Sequence, residues 1–451
     1  MKRSSVRETA LDLLLSITKN HAYSQLALND TLSESSLSAR DRALVTTIVY
    51  GVLQRRLTLD YVLSAFAGSE RRLDEWVRLL LQLSFYQKLY LDRIPDHAIV
   101  NEAVSIANHR GHRGIAGFVN GVLRQFLRKG APDLSAILPE GRRLSIQYST
   151  PEWLLDMWKE QWDIETSLKI AEAGNLAPHT FIRANRLKIS RQALAQRLAK
   201  EGVRTSPGEL SHECLRVEEG QPAATEAYKE GLLTIQDESS MLVADALAPA
   251  PGMAVLDACA APGGKTAHLA ERMENSGKIV ALDLHEQRTK LIDAAAARLG
   301  ISIIETRAMD ARNALGIYGK ASFDRVLLDA PCSGLGVIRR KPEIKWEKTF
   351  ADTERLASIQ QSILEAAAPL VRPGGWLVYS TCTINRAEND DLLNRFLSEH
   401  DDFYWEPVFF SRFPAVIQNC RLAPHTSMVQ LLPFQFGTDG FFIGCLKKKK
   451  K

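Results

Sequence analysis

No apolar run in this chain approaches the roughly 20 residues that a helix needs to cross a bilayer. The start, Met1-Lys2-Arg3, is basic, but Asp12 interrupts the apolar stretch at residues 11–15, so a secretory leader is not expected either. Both absences argue against membrane and secreted classes and predict a cytoplasmic protein without a membrane partner. Cysteine is sparse. Cys214, Cys259, Cys332, Cys382, Cys420 and Cys445 are the six in 451 residues, and none has Cys-x-x-Cys or Cys/His ligand spacing. A disulfide framework and a zinc centre are thereby excluded, and no metal is expected. A strong charge of one sign is missing too. The 57 Lys and Arg against 53 Asp and Glu leave +4, which permits a nucleic-acid partner without requiring one.

Two nucleotide-binding signatures are absent from the stretch around which the C-terminal half is organised. After the turn pair Pro251-Gly252, residues 254–257 suit a buried parallel strand ending in Asp257. Ala258 then leads into Cys259-Ala260-Ala261-Pro262-Gly263-Gly264-Lys265-Thr266. The end of this loop resembles a phosphate-binding P-loop, but Cys259 stands where its first glycine belongs and Pro262 removes an amide hydrogen from the cradle. Gly263 and Gly264 are adjacent, so the dinucleotide pattern Gly-x-Gly-x-x-Gly fails as well. What is present is a sharp turn with outward-facing amides, a seat for a polar ligand without phosphates.

At about 150 residues per domain, the length predicts two or three domains. A hydrophobic content of 45% with 24% charged and 7% aromatic residues is that of an ordinary globular chain, so cores are not limiting. Residues 1–140 read as all helical. Ser5 and Glu8 have capping-box spacing at the head of the stripe Val6, Ala10, Leu13, Leu14 and Ile17. Ser38 caps a helix with Leu44, Val45, Ile48, Val49, Val52 and Leu53 on its apolar face, and residues 76–91 form a longer one. Arg110, Arg113, Arg124, Arg128 and Lys129, with His109 and His112, then accumulate against the single acid Glu102, which makes either a solvated face or an RNA-binding one.

Gly130, Pro132, Pro139 and Gly141 mark a connector. Residues 145–231 read as a small α/β module with Trp153, Trp158 and Trp162 near its start, a strand at 181–184 and a helix at 190–201. Its Arg183, Asn185, Arg186 and Lys188 are surface charge or phosphate contacts. From 232 to 448 strand and helix alternate, which predicts a parallel sheet covered on both faces. The expected strands are 254–257, 279–283, 301–305, 323–329 and 376–380, followed by an antiparallel pair at 428–432 and 441–446. The lysines at 447–451 read as a disordered tail.

Ligands of such a sheet bind at the carboxyl ends of its strands. Asp257, Asp283 and Asp329 end three of them and Asp310 follows a fourth, so carboxylates replace the cations that a phosphate would need. Asp283 is placed for ribose hydroxyls and Asp310 for an adenine amino group, which suits S-adenosylmethionine with its cationic ammonium and sulfonium groups. Two thiols leave the same edge, Cys332 in Asp329-Ala330-Pro331-Cys332-Ser333-Gly334 and Cys382 in Ser380-Thr381-Cys382-Thr383. The other free cysteines, Cys214, Cys420 and Cys445, read as small core residues. Carbon 5 of cytosine is not nucleophilic, but a thiolate added to carbon 6 makes it enamine-like. Asp329, if protonated or sharing a proton with ring nitrogen 3, would stabilise negative charge developing on the ring, and Lys265 and the sulfonium are candidates for lowering a thiol pKa. Spacing leaves open which thiol attacks.

The three motifs around Cys259, Cys332 and Cys382 together resemble the RNA 5-methylcytosine methyltransferase family. Residues 94–104 and 117–124 resemble the antitermination factor NusB. The fusion is similar, over nearly the whole chain, to bacterial 16S rRNA cytosine-5 methyltransferases. That resemblance implies a NusB-like RNA-binding domain at 1–140, a small RNA-binding linker module at 145–231 and a Rossmann-like class I S-adenosylmethionine-dependent methyltransferase domain at 232–448. It implies donor contacts by Cys259, Ala260, Ala261, Pro262, Gly263, Gly264, Lys265, Asp283, Asp310 and Asp329. Cys382 would be the nucleophile, Cys332 would assist release, and the substrate would be 16S rRNA, free or in a partly assembled particle. A monomer is expected. The motifs leave tRNA or 23S rRNA open as substrates, whereas a non-catalytic RNA-binding or assembly factor has no need of a thiol pair.

Overall fold

The computed structural model describes residues 5–20, 24–33, 35–68 and 73–450; Met1-Lys2-Arg3 and Lys451 lie outside them. The chain forms two compact units, Met1–Ala177 with Ile338–Glu347, and Pro178–Val337 with Lys348–Lys451.

The first unit is helical. Its helices Val6–Asn20, Ser24–Ser33, Ala39–Gln54, Arg56–Ala67, Glu75–Tyr90, Asp96–Arg110 and Arg113–Lys129 bury the expected stripes, with Leu11, Leu14, Ile48, Leu80, Phe85 and Val119 in one core. Each such side chain contributes about 1.5–3 kcal/mol by leaving water. Two caps form as their sequence predicts. The Glu8 amide donates to Ser5 Oγ at 3.3 Å and the Asp41 amide to Ser38 Oγ at 3.1 Å. The basic cluster divides. Arg110 is held by Asp12 at 2.6 Å and Glu8 at 3.4 Å, whereas Arg113, Arg124, Arg128 and Lys129 are exposed along the Arg113–Lys129 helix.

Three further helices, Glu140–Tyr148, Glu152–Gln161 and Ile164–Ala173, belong to this unit, so the stretch expected as a connector is helical from Glu140 onward. Pro139 at the N-cap sets the extended entry that starts it. The segment Ile338–Glu347 returns to the same unit and inserts Lys345, whose buried ammonium donates to the carbonyls of Gln54 and Ser149 at 2.8 Å and to Asn175 Oδ1 at 3.0 Å.

The second unit holds two sheets. In the small one, β1 (Thr180–Ala184), β2 (Arg204–Pro207), β3 (Cys214–Glu219) and β4 (Leu233–Ile235) pair antiparallel in the order β2-β3-β1-β4, with the Arg191–Lys200 helix packed on them. The expectation of surface charge or phosphate contacts fails for two of its residues. Arg183 is fully buried against Glu271, and Asn185 is buried with its amide on the carbonyls of Gly231 and Leu299. A strand that alternates sides sends one face inward, and both residues lie where the small sheet meets the helices of the large one.

The large sheet contains β5 (Ala254–Asp257), β6 (Lys278–Asp283), β7 (Ile304–Ala308), β8 (Phe323–Asp329), β9 (Val371–Thr381), β10 (Phe403–Trp405), β11 (Met428–Leu431) and β12 (Phe441–Lys448). Its order is β10-β12-β9-β8-β5-β6-β7, with β11 paired to β12. β5 through β9 run parallel; β12 lies antiparallel to β9, β10 and β11. The chain reverses its order at β5, which leaves a crevice at the carboxyl ends of β5 and its neighbours. β7 lies three residues beyond its expected start, because Ile301 closes the preceding helix through its amide to the Ala296 carbonyl and the edge strand itself is polar. The lysine tail is also shorter than expected. Lys447 and Lys448 complete β12, with the Lys447 ammonium 5.9 Å from the Trp376 ring.

Candidate active site

Backbone bonds bring the strand-end loops into one layer. The Ala258 amide donates to Leu327 at 2.9 Å, Ala260 to Leu282 at 2.7 Å, and Ala330 to Ser380 at 2.9 Å. Past β5, Pro262 follows a cis bond and Gly263 takes φ 98°, a left-handed turn where a Cβ would press against Ile292 at 3.1 Å. Gly264 opens the next helix, Gly264–Arg272, and differs from its neighbour. A Cβ there would touch nothing, so packing within the protein does not demand glycine and the open space above its backbone suits a bound ligand.

The carboxylates sit in distinct surroundings. Asp257 is buried, with Oδ2 accepting from Thr266 Oγ1 at 2.7 Å and Oδ1 without a partner, and burial pushes its pKa up to about 7. Asp283 ends β6, accepts the His285 amide at 3.2 Å and lies 3.4 Å from Arg288, whose guanidinium also reaches the Ala261 carbonyl of the loop at 3.1 Å. Asp310 follows β7 and is joined to Arg312 at 2.5 Å, a hydrogen bond that holds its carboxyl below the usual range. Asp329 ends β8, where Lys265 Nζ stands 2.8 Å from Oδ2 and Ser380 Oγ donates to Oδ1 at 2.8 Å. The Lys265 charge is thus paired first with a carboxylate, and the Cys382 thiol lies within its field. Burial works against that charge, but Asp329 outweighs it and raises the lysine pKa.

The two motif thiols converge, with Cys332 Sγ 3.4 Å from Cys382 Sγ. Both are partly exposed, whereas Cys214, Cys420 and Cys445 are buried and burial pushes their thiols up, Cys420 to about 11 and Cys445 to about 12. Within the pair, the bond to Cys382 and then burial hold the Cys332 thiol well above its ordinary value, so Cys332 keeps its proton. The Cys382 backbone is fixed independently. Its carbonyl accepts the Gly336 amide at 2.9 Å, and the Gly336 carbonyl accepts the Gly440 amide at 2.9 Å, an approach that leaves no room for a Cβ at Gly336.

The structure therefore brings together Lys265, Asp329, Cys332 and Cys382, while Asp283 and Asp310 line the same edge with arginine partners of their own. Motif reading missed the side chains underneath. Ser380 belongs to the Ser-Thr-Cys-Thr motif, yet nothing in the motif signals its bond to Asp329. Glu388 and Gln360 carry no sequence signal, being single polar residues whose relevance appears only when the chain folds over them. No helix among the described residues is long and apolar enough to cross a membrane, and no group among them could hold a metal.

An open sheet reversing at β5, a glycine seat at its carboxyl edge and an antiparallel last strand define a Rossmann-like methyltransferase, here fused to a helical domain. Residues 244–447 match the family described as 16S rRNA methyltransferase RsmB/F, residues 4–128 the NusB family, and residues 150–224 the RsmF/B-like ferredoxin-like domain. The chain is 46% identical to the probable ribosomal RNA small subunit methyltransferase B of Bacillus subtilis (strain 168), with all of both chains covered. It resembles the crystal structure of PH0851 with 27% identity and a TM-score of 0.82 over 99% of each chain. It also resembles NSun6 from Pyrococcus horikoshii crystallised with SFG, at 25% identity and a TM-score of 0.59, over 67% of this chain and 99% of the other. The chain belongs to the 16S rRNA methyltransferase RsmB/F family, and its enzyme class is rRNA methyltransferase. Methyltransferases of this type use S-adenosylmethionine. The open face of Gly264 and the unpartnered Asp257 oxygen, a match for a cationic group, fit that donor.

Proposed function

We infer that this rRNA methyltransferase methylates carbon 5 of a cytosine in 16S rRNA through a covalent bond between Cys382 and carbon 6 of the base. The observation that carries the reading is the approach of the two thiols to 3.4 Å beside the Lys265–Asp329 pair. S-adenosylmethionine supplies the methyl group. The loop from Cys259 to Lys265, with Asp283, Asp310 and Asp329, binds and orients it: Asp283 accepts from ribose hydroxyls and Asp310 from the adenine amino group.

Cys382 attacks as a thiolate, the nucleophilic form of the group, beside a Cys332 thiol whose own ionisation is opposed by the bond to Cys382 and by burial. Sulfur bonds to carbon 6 and the ring electrons shift toward carbon 5, while Asp329, steadied by Ser380 and Lys265, shares a proton with ring nitrogen 3 and so offsets the negative charge that develops on the ring. After methylation solvent water takes the carbon 5 proton, the carbon 5–carbon 6 double bond returns and the Cys382 sulfur leaves as a thiolate, which the protonated Cys332 at 3.4 Å stabilises by a hydrogen bond. The target base has to leave its stack to reach the thiols. The exposed Arg113, Arg124, Arg128 and Lys129 supply contacts to RNA phosphates.

The test is transfer of labelled methyl groups to 16S rRNA prepared without modification, with the product mapped by bisulfite sequencing. Labelled 5-methylcytosine at one position is expected. Label on another base or another carbon would refute the reading, as would transfer to tRNA or 23S rRNA in preference to 16S rRNA.

A further inference from the structure

Glu388 lies in the short 3-10 turn Arg386–Glu388, six positions after Cys382, and is fully buried. Its Oε2 accepts from the Ser333 amide at 2.8 Å and from Gln360 Nε2 at 2.9 Å; its Oε1 accepts from Ser333 Oγ at 2.5 Å and from Asn385 Nδ2 at 3.1 Å. A carboxylate surrounded by neutral donors away from water is costly unless its oxygens are satisfied, and here both are.

The donors are placed around the thiols. Ser333 directly follows Cys332, and its hydroxyl is 2.8 Å from that of Thr383, which directly follows Cys382. Gln360 bonds Glu388 and, through the same amide nitrogen, the carbonyl of Pro331 at 2.9 Å, the residue before Cys332. Tyr379 in β9 donates to the Glu388 carbonyl at 2.6 Å, tying the turn to the strand that leads to Cys382. One buried side chain therefore fixes residues adjoining both reactive sulfurs.

We propose that Glu388 is the positioning residue that sets the relation of the Cys332 and Cys382 thiols. It does not reach the reacting atoms; it acts through the loops that carry them. The negative charge is required as well as the shape. In Glu388→Gln the new amide group points its hydrogens either at the Ser333 amide and the Gln360 nitrogen, both donors, or at the Ser333 hydroxyl, which can accept, and the Asn385 nitrogen, which cannot, so an isosteric change loses at least one bond of the clamp.

The proposal rests on the reading that the two thiols divide the chemistry, and its test has an arm that does not depend on it. Phenylarsine oxide joins two neighbouring thiols, replacing its As–O bond by two As–S bonds and releasing water. Its bridging rate thus reports thiol geometry without RNA, and loss of bridging in Cys332→Ala identifies the pair. In folded Glu388→Gln, bridging should slow at least about 10-fold and kcat on 16S rRNA should fall about 100-fold, the scale of a displacement near 1 Å, with KM and donor affinity within about twofold. A role in stability alone would lower the melting temperature and leave both rates intact in the folded enzyme. Wild-type bridging and kcat in folded Glu388→Gln, or a raised KM with unchanged kcat, overturn the proposal. If that variant does not fold, Gln360→Ala decides: slowed bridging supports the clamp and wild-type bridging removes it. If the wild-type enzyme itself fails to methylate cytosine, the functional reading falls and bridging alone judges Glu388.

Discussion

Arg183 of β1 and Glu271 of the Gly264–Arg272 helix form an ion pair at 2.8 Å with both side chains withdrawn from water. Arg183 also donates to Gln236 and, at 3.2 Å, to the Gly264 carbonyl. The small sheet thus supports the donor seat from below. Breaking such a pair leaves a buried charge without compensation, so Arg183→Leu should destabilise the second unit by about 3–5 kcal/mol. Adding Glu271→Leu should recover much of that loss. Denaturant unfolding of the two variants checks this, and additive losses in the double mutant would contradict it.

His268 lies on the same helix, buried, with Nε2 3.1 Å from Glu213 and Nδ1 without a partner. Burial, followed by the Arg183 charge, pushes its pKa down to about 4 from 6.5. Between those values the unfolded chain binds a proton that the folded chain refuses, so this contribution is complete above pH 6.5 and disappears as pH falls to 4. His268→Gln should show a flatter stability curve across that window, by about 3 kcal/mol in total. Asp245, raised by burial to about 6, works in the opposite direction and is common to both proteins. Thermal melts from pH 7 to 4 with parallel slopes would show that His268 does not titrate in this way.

At the donor seat, Asp283→Ala should weaken S-adenosylmethionine binding by about 1.5–3 kcal/mol, the scale for losing charge-assisted hydrogen bonds. Arg288 already engages this carboxylate at 3.4 Å, so the variant also frees an arginine beside Ala261. Calorimetry on the folded variant is the measurement. Unchanged affinity would remove Asp283 from the site.

The Arg113–Lys129 helix presents Arg113, Arg124 and Arg128 on a face that also exposes Gly117 and Gly121, two glycines whose Cβ positions touch no atom. Replacing the three arginines by glutamate should weaken rRNA binding and flatten its dependence on salt, because fewer phosphate counterions are released. Donor affinity should stay as it is. Gly117→Ala should add roughly 1 kcal/mol of helix stability. An unaltered salt slope in the triple variant would make the face a merely solvated one.

Legibility in the sequence followed local pattern. β5 and β8 appear with their observed bounds because each runs through apolar residues into a terminal aspartate, with Asp324 and Arg325 near the start of β8, and the helical stripes of the first unit appear through their spacing. β7 was displaced because its apolar signal, Ile301 and Ile303, belongs to the helix closure rather than to the polar edge strand. β10 has three residues and no pattern long enough to read. In the site, motif residues are recognisable because a loop and a strand end impose their composition. Their partners are not: Arg183 lies 88 positions from Glu271, and Glu388 lies 55 from Ser333. A single charged residue looks solvated until the fold encloses it, which is why Arg183 reads from sequence as surface charge or a phosphate contact.

The last expectation separates the two thiols. Cys382 is assigned the attack, so Cys382→Ala should abolish both turnover and any covalent enzyme–RNA species, since carbon 6 then has no nucleophile. Cys332 retains its proton through the bond to Cys382 and stands 3.4 Å from it, close enough to act on the product side of the same ring. Its loss leaves attack and methylation possible while slowing departure of sulfur. Cys332→Ala should therefore accumulate a protein–RNA adduct that survives denaturing electrophoresis, at an accessible cytosine and only when S-adenosylmethionine is supplied for the methylated form. The double variant should form none. An adduct in Cys382→Ala but not in Cys332→Ala would reverse the two roles, and an adduct persisting in the double variant would exclude both sulfurs as its point of attachment.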